Sequence, residues 1–221
     1  MLNPRTVLVI ASIGALAACG SAESSELDLS HADIASVKNV RSMFPAQFRV
    51  SDIAPAAIDP HLLETQPLPQ VTFEPPDCEQ FARKQVLPDG VKGNMSAIVA
   101  EGDGNRFITI AVETSETLPV NEPASNCQKV IYTGPGLRGL IEVVDAPNIG
   151  GAHTLGVHRV LQTTVNGNTR TGELYNYVAR FGPFLVIVTA NPVVLPDKPT
   201  VSVDTKRAGD LLSAGVSAVK G

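Results

Sequence analysis

Two glycine-containing turns limit the topologies that this chain can adopt. Asp103-Gly104 and Asn166-Gly167 each separate two runs rich in β-branched residues. Because Asp-Gly and Asn-Gly favour the backbone conformation of two-residue hairpin turns, each pair of runs predicts an antiparallel β-hairpin. The predicted hairpins join 93–100 to 106–113 and 154–165 to 168–180. The sequence therefore predicts an antiparallel sheet.

The first hairpin carries a clear apolar face. With the Asp103-Gly104 turn, one face collects Met95, Ala97, Val99, Ile108, Ile110 and Val112. This face is predicted to lie in the core, because alternate residues of a strand point to the same side. Residues 184–190 are apolar at nearly every position and predict a central strand. Further strands are expected at 47–54, 128–133 and 138–145.

Helical patterns lie near both ends of the chain. Residues 31–44 place Ile34, Val37, Val40 and Phe44 on one face, with Ser30 as the expected cap, and 204–219 form a second apolar stripe capped by Asp204 or Ser202. A short helix is expected at 78–87, after the proline-rich segment 55–76, which is predicted to be a long ordered loop or a cover over part of the core. The fold class is α+β: one domain, 31–221, with a twisted, mostly antiparallel sheet of five to seven strands packed with N- and C-terminal helices.

The first 19 residues look like an export signal. Arg5 precedes an apolar run from Val7 to Ala17, which is too short to span a bilayer. The run ends in Leu-Ala-Ala-Cys19 and resembles the bacterial lipobox, in which the cysteine is acylated and becomes the new N-terminus. We therefore expect a signal peptide at 1–18, a lipidated Cys19, a flexible tether to residue 30, and a membrane-anchored, extracytoplasmic location. An ordinary secretory signal with a chance cysteine, or a buried helix, is the alternative.

Two other cysteines remain, Cys78 and Cys127. An even pair in an oxidising compartment favours a disulfide, which would close a loop of 50 residues; a free reactive thiol is the alternative.

Neither charge nor motifs indicate nucleic-acid, nucleotide or metal chemistry. The formal net charge is −5, without the basic surface of a nucleic-acid binder. Gly134-Pro-Gly-Leu-Arg-Gly139 matches a dinucleotide-binding pattern by letter, but a strand-like run follows where a helix is required. We expect a turn there, no cofactor, no metal and no catalytic residues.

The second hairpin has a mixed polar face. An Asn166-Gly167 turn of two residues would place His158 opposite Tyr175 and Val160 opposite Glu173, with Gln162 and Tyr177 on the same face. This face is interpreted either as solvated sheet surface or as one wall of a ligand groove formed by His158, Gln162, Glu173, Tyr175 and Tyr177.

Four segments carry a family resemblance: the Cys19 lipobox, PPDC at 75–78, EGDGNRFITIAVETS at 101–115, and TRTGELYNYVARFGPFLVIVTANP at 169–192. With them the chain resembles a family of mycobacterial lipoproteins of unknown function. More distantly, it is similar to the extracytoplasmic sensor-like domains of mycobacterial Ser/Thr kinases. The resemblance implies an α+β domain with a cleft and an unidentified ligand.

Four functions are compatible with these features. The first is a non-catalytic ligand-binding or sensor-like module of the cell envelope. The second is a carrier or chaperone for envelope lipids or glycolipids, and the third is a protein-interaction scaffold. The fourth is an unrecognised hydrolase. The expected partners are the lipid bilayer, through acyl chains on Cys19, and a small molecule, peptide or envelope lipid.

Overall fold

The fold is given by a computed structural model of the whole chain. The structure describes residues 28–59, 63, 70–83, 87–88, 90–120, 122–195 and 199–221. The predicted signal peptide, Cys19 and most of the predicted tether lie outside these residues, as does much of the proline-rich segment.

Nine strands form a single sheet. They are β1 (Arg49–Ala57), β2 (Thr72–Glu74), β3 (Gly93–Gly102), β4 (Asn105–Thr114), β5 (Lys129–Gly134), β6 (Leu137–Val144), β7 (His153–Val165), β8 (Asn168–Phe181) and β9 (Phe184–Pro192). Their order is β1-β3-β4-β9-β8-β7-β6-β5-β2, and every neighbouring pair is antiparallel. The predicted α+β class and antiparallel sheet are confirmed, and β9 lies at the centre as expected.

The helical elements are α1 (Glu79–Arg83), α2 (Thr205–Lys220) and three 3-10 helices, Ile34–Met43, Pro76–Cys78 and Ser125–Cys127. The N-terminal segment was expected to be α-helical, but it is a 3-10 helix that begins after Asp33. The Asp33 carboxylate accepts a hydrogen bond from the backbone N–H of Ala35, so Asp33 and not Ser30 is the cap. Asp204 caps α2 by accepting from the N–H of Arg207.

The sheet has more strands than the five to seven expected. Part of the difference lies in the segment 55–76, which was predicted to be a loop. Strand β1 continues through Pro55 to Ala57, with an irregularity in its pairing with β3 after Ile53, and β2 follows at Thr72–Glu74. Both are edge strands, where a proline removes no hydrogen bond from the interior of the sheet.

Each half of the sheet is covered differently. We call the face that carries the even-numbered residues of β7 the front face. On this face, the N-terminal 3-10 helix and α2 cover strands β3, β4, β9 and β8. On the back face, Met95, Ala97, Ile110 and Val112 lie in a second cluster, which confirms the predicted core face of the first hairpin. A third cluster covers the back of β2, β5, β6 and β7, with α1 and both cysteines.

Candidate functional site

The helices leave the front face of β5, β6 and β7 open. There the side chains form an open groove of about 430 Å³, lined by Lys129, Ile131, Arg138, Gly139, Leu140, Val160 and Gln162. The groove exists because the 3-10 helix and α2 pack on the other end of the sheet, while α1 lies on the opposite face.

Strand pairing arranges the groove residues in three rows that run across the strands. The middle row contains an apolar strip formed by Ile131, Leu140 and Val160, which pair directly with one another from β5 to β7. The row ends at Glu74 on β2 and Glu173 on β8. On one side lies the Arg138 row, which consists of Thr133, Arg138, Gln162 and Thr171. On the other side lie Lys129, Glu142, His158 and Tyr175. An apolar floor between two polar borders is a common composition for a ligand site.

The predicted residues His158, Glu173 and Tyr175 are in direct contact. Nε2 of His158 donates a hydrogen bond to Oε1 of Glu173 over 2.9 Å, and the His158 ring stacks on Tyr175 with the centroids 4.2 Å apart. The His158 side chain is only 14% exposed and Glu173 is 33% exposed. The two partners hold the imidazole in a fixed orientation at the border of the groove.

The Tyr175 phenol stays protonated well into the alkaline range. Burial raises its pKa first, and the Glu173 carboxylate, which accepts a hydrogen bond from the phenol, raises it further. Glu142 adds to this effect. The tyrosine therefore keeps the O–H that it donates to Glu173, and the adjacent carboxylates make this border of the groove acidic.

The structure does not bring every predicted site residue to the groove. Gln162 lines it, and His158, Glu173 and Tyr175 border it. Tyr177 lies on the same face but is only 4% exposed, within the cluster beneath the helices. Burial raises the pKa of Tyr177, as does the charge of the neighbouring Tyr175 and Asp145. Its ring lies over Gly156, and this contact makes it a core residue.

Sequence analysis missed the groove residues of β5 and β6. Their signal is weak, because alternation along a strand shows which residues share a face but not which strands are neighbours. Once β6 is known to pair with β7, the register places Arg138 opposite Gln162 and Leu140 opposite Val160. The strand order of the second half of the chain is thus the missing information.

The opposite face of β7 carries Arg159, whose guanidinium donates from Nη1 to the backbone oxygen of Ala82 in α1 over 3.1 Å. Burial lowers its pKa, and the nearby Tyr132 opposes this shift. Nε of Arg159 is buried and has no hydrogen-bond partner in the part of the chain that the structure describes. This arginine joins α1 to the back of the sheet and makes no contribution to the groove.

Cys78 and Cys127 form a disulfide, as the cysteine count predicted. It joins the end of the Pro76–Cys78 helix to the segment before β5, and both cysteines are buried with Val130 and Tyr132.

None of the described helices is long and apolar enough to cross a bilayer. The described residues also contain no group of three metal-ligating side chains, and the Gly134–Gly139 motif forms the β5–β6 turn and the start of β6, with no helix after it.

Residues 33–220 match the family model described as a domain of unknown function, DUF5642. The chain belongs to this family. It is similar to an uncharacterized protein of Mycobacterium smegmatis, the Rv0999 ortholog, which has an X-ray structure. The two sequences are 53% identical and the TM-score is 0.83, and the match covers 88% of this chain and 100% of the Mycobacterium smegmatis chain. A polypeptide that this match covers from end to end is therefore a folded unit. No curated protein matches the chain.

A more distant similarity is to the extracellular domain of PknH from Mycobacterium tuberculosis, with 14% identity, a TM-score of 0.39, and coverage of 88% of this chain and 97% of that domain. The predicted kinship with mycobacterial proteins of unknown function, and distantly with a kinase sensor domain, is confirmed. At so low a TM-score, the PknH similarity does not transfer a ligand or a role to the groove.

Proposed function

We propose that this DUF5642 protein is a lipid-anchored binding module of the cell envelope. In this proposal, Cys19 is acylated after removal of residues 1–18, residues 19–30 are the tether, and the domain 31–221 presents its groove outside the cytoplasm. Two features support this location: the Leu-Ala-Ala-Cys sequence before the domain and the buried cystine, since disulfides persist mainly in oxidising compartments.

The open groove is the observation that carries the binding function. Its volume of about 430 Å³ falls within the range of small-ligand sites, which runs from about 300 to 1,000 Å³. Leu140 is half-buried in the middle of the strip, between the charged side chains of Lys129 and Arg138. The combination suits a ligand with both an apolar and a polar part.

The shape of the groove favours reversible binding over enclosed transport. A lipid carrier shields acyl chains in a closed, dry cavity, whereas this groove is open along one side of the sheet. The contacts of His158 hold its ring in place at the border of the groove, since Nε2 is engaged by Glu173 and the ring stacks on Tyr175.

Binding is tested with the ¹⁵N-labelled domain of residues 28–221 and a set of small-molecule fragments and short peptides. We expect amide shifts that concentrate on the groove strands β5, β6 and β7. Leu140→Lys should abolish them by placing a charge in the strip. Asn168→Lys is the matched control, since it adds the same charge to the exposed end of β8. Amide shifts that persist in the Leu140→Lys variant, or that are spread over the whole surface, would contradict a binding function of the groove.

Anchoring is tested separately in the native host. We expect Cys19→Ala to block acylation, measured by mass spectrometry of the N-terminal peptide, and to release the protein from the membrane fraction. Unchanged processing and membrane retention would refute the anchor without affecting the groove.

A further inference from the structure

The charge pattern of the groove identifies a ligand class. Resting on the binding function above, we propose that the groove binds an anionic amphiphile, with a carboxylate or phosphate group at Arg138 and an apolar body along the strip of Ile131, Leu140 and Val160.

Arg138 is a cation without an acidic neighbour. It is exposed, and its direct cross-strand neighbours on the front face are Thr133 and Gln162. Its neighbours along and diagonal to the strand are the three aliphatic residues of the strip. In the described part of the chain, no carboxylate forms an ion pair with it. Its guanidinium is therefore available for a bidentate contact with a carboxylate or phosphate.

The other border of the groove repels an anion. Lys129 lies opposite Glu142 and forms an ion pair with it over 3.5 Å. Glu142 in turn lies opposite His158, which is hydrogen-bonded to Glu173. Since Glu142 lies on this border and Glu173 lies opposite Val160 at the β8 end of the strip, an anionic group gains most on the Arg138 side. There Gln162, Thr133 and Thr171 add uncharged hydrogen-bond donors.

The strip accommodates an aliphatic body. It crosses three neighbouring strands, so its length is about 10 Å, given the spacing of about 4.8 Å between strands. All three side chains are aliphatic and half-buried. An extended acidic peptide is the less suitable ligand, because it would leave its backbone groups unpaired on a sheet face, where the strands' own hydrogen bonds are already made.

The test uses octyl phosphate below its micellar concentration, titrated into the ¹⁵N-labelled domain 28–221 and followed by amide shifts. We expect saturable shifts on β5, β6 and β7, weaker binding of inorganic phosphate, and weaker binding of octyl glucoside. Arg138→Gln should lower the affinity for octyl phosphate at least about tenfold, as loss of a charge-assisted contact requires. It should leave octyl glucoside binding unchanged. Leu140→Ser should weaken octyl phosphate but not inorganic phosphate.

Arg170→Gln is the matched control, because Arg170 lies opposite Thr163 on the back of the β7–β8 hairpin and its loss changes the net charge equally. Equal affinity of octyl phosphate for the Arg138→Gln and Arg170→Gln variants would overturn the proposal, as would octyl glucoside binding equally tightly. Tight binding of an acidic peptide in preference to octyl phosphate would replace the ligand class but keep the binding function. If none of these probes, fragments or peptides shifts the groove amides, the binding function itself fails.

Discussion

Thr109 and Thr114 form a matched pair that tests the burial of polar groups along β4. Both are threonines of β4, and both are almost completely buried, with 0% and 4% of their surfaces exposed. Among the described residues, the Thr109 hydroxyl has no hydrogen-bond partner, whereas the Thr114 hydroxyl donates to the backbone oxygen of Glu116 or Pro183, at 2.7 and 2.8 Å. We predict that replacement by valine, which has nearly the same shape, has opposite effects at the two positions.

The magnitudes follow from the contacts. Burying a hydroxyl without a partner costs about 1–3 kcal/mol, and Thr109→Val removes that penalty while it buries a methyl group. The methyl group of Thr109 already faces the position of Gly215 in α2, so the site is adapted to aliphatic contacts. We expect the variant to gain about 1–2 kcal/mol in the free energy of unfolding. Thr114→Val should lose about 1–2 kcal/mol, because it removes a made hydrogen bond and leaves its backbone acceptors with one partner fewer.

The assay is urea unfolding of the domain 28–221 followed by far-UV circular dichroism, since the chain has no tryptophan. The two variants should differ by about 2–4 kcal/mol with equal m-values, which would show that the unfolded states are comparable. Loss of stability in Thr109→Val, equal to that in Thr114→Val, would mean that the Thr109 hydroxyl is hydrogen-bonded in solution. The packing described for this part of the core would then be wrong.

Three further variants or conditions test other parts of the fold. Replacing Cys78 and Cys127 by alanine should lower the free energy of unfolding by about 4 kcal/mol, because the disulfide no longer restricts a 50-residue loop in the unfolded chain. Adding a reductant should then cause no further change in the denaturation curve of the variant. Gly139→Ala should lose about 1–3 kcal/mol, because the new Cβ would collide with the Tyr132 ring and the Val160 carbonyl, whereas Gly172→Ala, with open space around it, should be close to neutral in the same assay. Burial raises the pKa of all three tyrosines, Tyr132, Tyr175 and Tyr177, so the folded state holds these protons more tightly than the unfolded state. This contribution to the free energy of unfolding is complete below pH 10 and is lost as pH rises through the raised tyrosine pKa values. Absorbance at 295 nm should therefore show tyrosinate forming at lower pH in urea than in buffer. Identical titrations in urea and in buffer would contradict the burial of the tyrosines.

The local structure was largely predictable from the sequence because hairpins are encoded locally. Asp103-Gly104 and Asn166-Gly167 each fix a turn with the residues beside it, and both registers follow from the turn alone. The pairing of His158 with Tyr175 needs no information from elsewhere in the chain. The N-terminal helix was less predictable, since the apolar spacing of Ile34, Val37 and Val40 fits a 3-10 helix with three residues per turn as well as it fits an α-helix.

The groove was less predictable because it depends on contacts between distant parts of the chain. His158 and Glu173 were placed correctly by one hairpin, but Arg138 and Leu140 reach the site only through the pairing of β6 with β7. That pairing joins strands separated by the segment 145–152, which is too long for a two-residue hairpin turn, so its Gly150-Gly151 turn does not fix the register. Tyr177 shows the converse: its face was assigned correctly, but only the position of α2 determines that it is buried.

The open groove follows from how two sets of covering elements divide one wide sheet. The N-terminal 3-10 helix and α2 pack together over the front of the central strands, and two helices are too narrow to cover nine strands about 4.8 Å apart. The cystine and α1 cover the other half of the sheet, but from the back. Strands β5, β6 and β7 are thus supported from behind and exposed in front.

Their exposed face carries aliphatic residues in one row only, with charged and polar residues on both sides. A merely solvated face needs no such row, and a buried interface would not keep the unpaired Arg138 beside it. This arrangement is the physical reason to regard the face as a ligand site, and the contrast between Arg138→Gln and Arg170→Gln tests it directly.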